Sequence, residues 1–349
     1  MAQNYERCFR RLKEQRSLES SVSICYLLRA LPAGLCVLVF MLIAGPGHAA
    51  EPGKVTVGAY VTKVQDVSFR DNRYTIDFYL WFRWKAEGPL ADFKPLDTFE
   101  LINGRIDTRG SVVEKKIGNE SYATVRVSAT MAENWDLKKF PFDSHRLYVN
   151  IEDAALFSSD MVYVADTNNS RLGDEIDMGG WSVSNFEAKV LPKVYKSNYG
   201  DTSLPTDSLS EYSRFSMGMD MTRTSFGSAW KLLTTVLAAT AVAFVAFMVK
   251  PTDLDPRFGL GVGALFAVAA SAFVASSAVP DSGVMTAADQ VHMIAIGFIF
   301  TSVLQSALAL KLEVSGQVER ATRFDHMCLL IFPLLFFGSS GWIIYRAMH

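Results

Sequence analysis

Four long apolar segments crowd into the last third of the chain and constrain its fold more than any other feature. They cover residues 226–249, 258–279, 291–312 and 327–345, and each ends near a charge, a proline or an amphipathic aromatic side chain. A helix needs about 20 apolar residues to cross the hydrocarbon core of a bilayer. Each segment has that length and the connections are short. The sequence therefore predicts a compact bundle of four transmembrane helices over residues 224–349.

The preceding region, residues 51–223, is polar and alternates in a way that is typical of β-strands. Apolar side chains recur at every second position from Ile76 to Trp84, and shorter runs around Val149 and Met219 repeat the pattern. This period places alternate side chains on one buried face of a sheet. Many short strands separated by turn-rich pieces, with no helical period, predict an immunoglobulin-like β-sandwich.

The first 50 residues have the features of a signal sequence with a long basic leader. An apolar core at residues 35–44 follows the leader, and small residues at Gly47 and Ala49 suit cleavage just after Ala49 or Ala50. An uncleaved anchor is the alternative, because the leader is unusually long. Export would place residues 51–223 in the periplasm or outside the cell, above a multi-pass domain in a bacterial inner membrane.

Charge and composition narrow the function classes. The formal net charge of −2 provides no basic field for a nucleic-acid partner, and the five histidines are scattered along the chain. No nucleophile elbow, phosphate loop or metal-ligand spacing is present in the sequence, so it predicts neither an enzyme nor a bound metal or cofactor. None of the four cysteines lies between residues 51 and 225, so the exported domain forms no disulfide.

A short proline-containing segment identifies a family. The run from Trp135 to His145 contains Phe-Pro-Phe-Asp at residues 140–143. Three further features occur in the order along the chain that this family shows: Trp84 at the end of an early strand, a Gly-Trp pair ending at Trp181, and Arg223 before the first membrane helix. The region 54–346 thus resembles the pentameric ligand-gated ion channels (Cys-loop receptor family) in their cysteine-free prokaryotic form. The resemblance implies a homopentamer in a lipid bilayer, with agonists bound between neighbouring outer domains and ions permeating a central pore lined by the second membrane helix.

One face of that second helix is predicted to line the pore. Steps of four and three residues from Asp255 select Asp255, Gly259, Gly263, Phe266, Ala270, Phe273 and Ser277. The resemblance selects the same face and places Asp255 at the cytoplasmic mouth, where a ring of five carboxylates would concentrate cations. The alternative is that Asp255 caps the helix, or that Arg257, two residues away, neutralises it.

Gly259 and Gly263 occupy positions where the resemblance implies small hydroxyl residues, so the inner end of this face lacks the usual polar lining. Phe266 and Phe273 would form bulky apolar rings that can dewet a narrow pore. Gly259 and Gly263 either widen the inner end or allow close helix packing, and both interpretations stay open. Gly261 lies off the pore face, so packing is its expected role.

Candidate agonist-binding residues follow from the resemblance. Tyr79 matches one position of the aromatic box, and Tyr195, Tyr199 and Tyr212 lie in the segment that resembles the capping loop. An aromatic box attracts cations through its π-faces. The position of the central tryptophan of that box falls near Ala154, which is not aromatic. The agonist is left as an unknown small molecule or ion, with cations and protons among the candidates.

A second set of residues is predicted to couple the two domains. Asp143 and Arg223 resemble the ion pair that ties the proline loop to the first helix, and Asp71 is the candidate to complete it. Pro141, flanked by Phe140 and Phe142, is expected to press on the loop at residues 280–285 that begins with Pro280, with a cis bond before Pro141. The neighbouring His145 is interpreted as a structural residue.

A second function class remains open. The nearly apolar pore face would also suit a non-conducting periplasmic sensor or adaptor on a four-helix membrane anchor. Ionic current through the purified protein distinguishes the two classes.

Overall fold

The computed structural model describes residues 51–202, 205, 208–224, 227–281 and 283–349. The predicted signal sequence at residues 1–50, with its cleavage site, lies outside the described residues. Pro52–His349 form one compact unit.

Ten strands form the first part of this unit, and all of them lie before the first apolar segment. Their bounds are β1 Gly53–Ser68, β2 Arg73–Trp84, β3 Phe99–Leu101, β4 Gly104–Ile117, β5 Glu120–Ala132, β6 Ser144–Asp153, β7 Met161–Ala165, β8 Arg171–Leu172, β9 Trp181–Lys196 and β10 Leu209–Arg223.

The strands make two sheets, as a sandwich requires. One sheet has the order β4-β5-β2-β1-β7 with β8 beside β1, and the other has the order β3-β6-β10-β9. The inward-facing residues of both sheets form one hydrophobic core; Phe78, Leu80, Val127, Val149 and Met217 are all completely buried. Each such side chain contributes about 1.5–3 kcal/mol by leaving water. The predicted β-sandwich is confirmed.

Four long helices form the second part. They are α1 Gly227–Val245, extended by a 3-10 turn at Ala246–Met248, then α2 Leu254–Ser277, α3 Ala287–Val314 and α4 Val318–Met348. Their candidate membrane-spanning stretches measure 20, 24, 28 and 31 residues, so each is long and apolar enough to cross a bilayer. The predicted sandwich followed by four spanning helices is confirmed.

Aromatic rings fill the centre of the bundle. The ring of Phe244 on α1 lies 6.3 Å from Phe298 on α3, and 6.2 Å and 5.9 Å from Phe332 and Phe336 on α4. These edge-to-face contacts hold α1, α3 and α4 together.

Candidate pore, gating and agonist sites

Helix α2 has two distinct faces. Its buried residues are Arg257, Gly261, Ala264, Val268, Ser271 and Ala275, which recur every three or four positions. The helix starts at Leu254, a little before the predicted start, so Asp255 belongs to its first turn. All seven predicted pore residues, from Asp255 to Ser277, are exposed on the other side. No described part of the chain covers this stripe, and the pore-lining role stays a prediction.

The glycines of α2 divide into two kinds. A Cβ at Gly261 would lie 2.6 Å from Cγ2 of Val303 on α3, so this glycine permits close helix packing, as predicted. At Gly259 and Gly263, no described atom of the subunit beyond the helix backbone lies within 4 Å of the position that a Cβ would occupy. Those two glycines do not serve packing within the described part of the subunit. Phe266 and Phe273 project outward, 72% and 75% exposed.

The alternative that Arg257 neutralises Asp255 is wrong. Arg257 is buried and donates two hydrogen bonds to the carboxylate of Asp325 on α4, at 2.5 and 2.9 Å. It also donates to Gln305 Oε1 at 3.3 Å and to the Val249 carbonyl at 2.6 Å. Residues two apart on a helix point to nearly opposite sides, so Arg257 reaches α3 and α4 while Asp255 faces outward.

The predicted ion pair below the sandwich is present. Arg223 Nε donates to Asp143 Oδ1 at 3.2 Å, and His145 Nε2 lies 2.5 Å from Asp143 Oδ2. The guanidinium of Arg223 also covers the ring of Trp181, with its carbon 4.1 Å from the ring centroid. Burial raises the pKa of the Asp143 carboxyl, but the hydrogen bond from His145 and the charge of Arg223 outweigh that effect and leave the pKa lowered.

The third member of this cluster is His145, which the sequence interpretation had treated only as structural. Asp143 and His145 are two residues apart where the chain enters β6, so their side chains share a face, and this spacing was the available signal. Asp71, predicted as the third member, accepts from the Ser68 hydroxyl at 2.8 Å and lies 3.5 Å from Arg73. The participation of Asp71 in coupling stays a prediction.

The proline loop, residues 135–143, contacts the start of α3 directly. The carbonyls of Lys138 and Phe140 accept the backbone N–H groups of Ala287 and Ala288 at 3.0 and 3.1 Å. These are N–H groups of the first helical turn, which have no partner inside the helix. The Phe140–Pro141 bond is cis, as predicted. Phe140 packs against Ala288, and Phe142 packs against the core of the helix bundle.

The contact continues from α3 to α2. His292 Nδ1 lies 2.8 Å from the Ala288 carbonyl, so this nitrogen must carry the proton. The other ring nitrogen, Nε2, lies within hydrogen-bond distance, 3.0 Å, of the Ser271 hydroxyl on the buried face of α2. Hydrogen bonds therefore link Phe140, through Ala288 and His292, to α2.

Pro280 borders a surface cavity of about 510 Å³ that it shares with Arg70 and Phe273.

Three of the four predicted agonist residues come together. The rings of Tyr195, Tyr199 and Tyr212 lie 5.8–6.4 Å apart, centroid to centroid, at one end of β9 and β10. Tyr79 lies on β2 of the other sheet, exposed at its surface. Phe157, which the sequence interpretation missed, lies with its ring 5.1 Å from that of Tyr212, in the segment after Ala154. It supplies an aromatic ring three residues from the position where a tryptophan was expected.

A buried charge pair lies under these rings. Arg214 Nε donates to Glu152 Oε1 at 2.6 Å, and its terminal nitrogen donates to the Tyr195 hydroxyl at 2.7 Å. The Tyr195 hydroxyl in turn donates to Glu152 at 3.2 Å. Burial and the charge of Glu152 raise the pKa of the Tyr195 hydroxyl, so it stays protonated. The sequence interpretation missed Glu152 and Arg214. The only signal for this pair was that each is a charged residue at a strand position.

Comparison with known proteins agrees with this architecture. No protein-family model matches the sequence. A proton-gated ion channel of Gloeobacter violaceus is 21% identical to this chain over 313 residues, covering 85% of this chain and 84% of the relative. Together with the β-sandwich and the four spanning helices, this similarity confirms the predicted resemblance to the bacterial pentameric ligand-gated ion channels and supports a multi-pass membrane protein.

Proposed function

We propose that the chain is one subunit of a homopentameric, cation-conducting channel that opens when an agonist acts on its outer domain, residues 51–223. The observation that carries this proposal is the exposed stripe of α2 from Asp255 to Ser277. Its opposite face is packed against the rest of the subunit. In a pentamer this stripe would face the central axis.

The chemistry of the stripe favours water over lipid at its basal end, where α2 begins. A carboxylate facing hydrocarbon is costly, so Asp255 is best placed where water and cations reach it. A ring of five such carboxylates raises the local concentration of cations. Gly259 and Gly263 add no side chain and leave the path wide beside that ring.

Two apolar rings supply the gate. Phe266 and Phe273 project from α2 with most of their surface exposed. Five phenylalanines at one level form a narrow hydrophobic constriction that excludes water when the helices are close together. Tilting or rotation of α2 would widen the constriction and let water return.

The coupling path follows the hydrogen bonds. Movement of the proline loop would act on the first turn of α3 through Ala287 and Ala288. The bond from His292 to Ser271 would pass that movement to α2. The Asp143–Arg223 pair fixes the loop to the end of β10, immediately before α1.

The agonist site is proposed at the cluster of Tyr195, Tyr199, Tyr212 and Phe157, with Tyr79 of a neighbouring subunit facing it. The carboxylate of Glu152 is already bonded to Arg214, so cation attraction would come from the aromatic faces. Because the Gloeobacter violaceus relative is named a proton-gated channel, acid is the first agonist to test.

Recording from the purified protein in planar bilayers tests this function. Acid, amines and divalent cations are applied in turn, and reversal potentials are measured in asymmetric salt. We expect cation-selective current, with loss of selectivity in Asp255→Asn. A fivefold particle that carries no current under any of these conditions would support the sensor or adaptor function instead.

A further inference from the structure

The basal end of the helix bundle contains a charge pair that the function described above does not use. Arg257 on α2 and Asp325 on α4 form a bidentate ion pair, and their side chains are 0% and 7% exposed. Gln305 on α3 also donates to Asp325, at 2.6 Å. The carboxylate of Asp325 is therefore held by hydrogen bonds from two helices.

This pair lies close to the carboxylate proposed for the pore ring. Asp255 precedes Arg257 by two residues, which is a rise of about 3 Å along a helix axis. The two side chains point to nearly opposite sides of α2, but Arg257 and Asp325 are buried in the packed bundle, where salt screens charges much less than it does at the surface. The charge state of the buried pair therefore affects the field at Asp255.

The charges of Asp255, Arg257 and Asp325 sum to one negative charge for each subunit. Without Asp325, the positive charge of Arg257 would be uncompensated and would weaken the field of the five-membered Asp255 ring. With Asp325, the buried pair is neutral and each subunit keeps one negative charge at the mouth. Lys250 and Asp253 are also exposed near this end, and they contribute one charge of each sign.

We propose that Asp325 is a selectivity-determining residue: it supplies the countercharge that stops Arg257 from weakening the field of the Asp255 ring. This inference rests on the proposed function, because it needs the exposed face of α2 to line the pore. It assigns to α4, whose Asp325 reaches the basal end of α2 through this ion pair, a direct electrostatic effect on the permeating ion.

Two substitutions separate this effect from loss of packing. Asp325→Asn removes the countercharge and leaves Arg257 cationic. The double variant Arg257→Gln with Asp325→Asn removes both charges and restores one net negative charge for each subunit. We expect the cation-to-anion permeability ratio to fall several-fold in Asp325→Asn and to return to the unaltered value in the double variant. Asp325→Glu, which keeps the charge, should behave like the unaltered protein.

The inference is overturned if assembled Asp325→Asn channels keep the selectivity of the unaltered channel. It is also overturned if the double variant is as impaired as Asp325→Asn, because that result would indicate a packing defect. If Asp325→Asn does not assemble, Arg257→Gln is compared with the double variant. With Arg257 removed, the buried Asp325 carboxyl takes up a proton instead of staying charged. Both variants should therefore match the unaltered channel in selectivity, and a lower cation selectivity in either would count against the proposal.

A measurement without current distinguishes failure of the inference from failure of the proposed function. Crystals of the unaltered protein, Asp325→Asn and the double variant are soaked in caesium, and anomalous density is measured beside Asp255. If no form conducts, the channel function fails, yet the inference still predicts weaker caesium density in Asp325→Asn than in the unaltered protein and the double variant. Equal density in all three forms would overturn it.

Discussion

Replacement of Arg223 by alanine is the sharpest test of how the outer domain and the helices communicate. Asp143 is buried, with 1% of its side chain exposed, and Arg223 and His145 are its two hydrogen-bonding partners among the described side chains. Arg223→Ala would leave a buried carboxylate bonded only through His145 among the described side chains. It would also remove the guanidinium that covers Trp181.

The expected loss of stability follows from burial. Removing one partner of a buried ion pair costs about 3–5 kcal/mol. Because His145 lies 2.5 Å from the other carboxylate oxygen and keeps it bonded, we expect the lower end of that range, about 3 kcal/mol. For a domain of the size of residues 51–223, this loss of stability lowers the melting temperature by roughly 5–10 °C.

Arg146→Ala is the matched control. Arg146 also bridges strands, bonding Asp220 and Glu187 at 2.7 Å each, but 32% of its side chain is exposed. An exposed pair is worth at most about 1 kcal/mol, so this variant should melt close to the unaltered protein.

The assay combines thermal unfolding of the detergent-solubilised protein, followed by tryptophan fluorescence, with agonist-evoked current. We expect Arg223→Ala to assemble, to melt several degrees below Arg146→Ala, and to lose its response to agonist. The reasoning is refuted if Arg223→Ala melts together with the control, or if it opens normally.

Three further predictions concern other parts of the chain. Thr286→Ala removes the capping box that Thr286 forms with Asp289 at the start of α3, and should cost about 1 kcal/mol in thermal unfolding; an unchanged melting temperature would contradict it. Phe266→Ala should raise the current recorded without agonist, since five alanine side chains at that level leave a wider opening that no longer excludes water. A variant that carries no more current than the unaltered protein would argue against a gate there. The lowered pKa of Asp143 means that its stabilisation is present above the unfolded-state pKa of about 3.9 and is lost as pH falls through the lower folded-state pKa. The difference in melting temperature between the unaltered protein and Asp143→Asn should therefore shrink below about pH 4, and a difference that persists or grows there would contradict the linkage.

The coarse architecture was predictable because it depends on local patterns. Apolar runs of sufficient length can only be satisfied in a bilayer or a core, and the alternation from Ile76 to Trp84 matches a sheet with one buried face. Stepping along α2 by three and four residues likewise separated the exposed Asp255 and Phe266 from the buried Gly261. Helical geometry alone is enough for that separation.

The partners of individual charges were not predictable in the same way. Arg257 could have paired with a near neighbour in sequence, but it pairs with Asp325, 68 positions away, because its side of α2 faces the interior of the bundle, where its long side chain reaches α4. Glu152 and Arg214 are 62 positions apart and meet only because β6 and β10 are adjacent strands.

The sequence by itself determined the sandwich, the four helices and the exposed stripe of α2, because each depends on the period of a short segment. The proline loop with its cis bond followed from the family resemblance. The tertiary structure decided which charges neutralise each other. It paired Arg257 with Asp325 rather than with Asp255, joined Asp143 to both Arg223 and His145, and brought Phe157 to the tyrosines. Pairings of this kind depend on which faces of distant elements meet, and no local pattern records that.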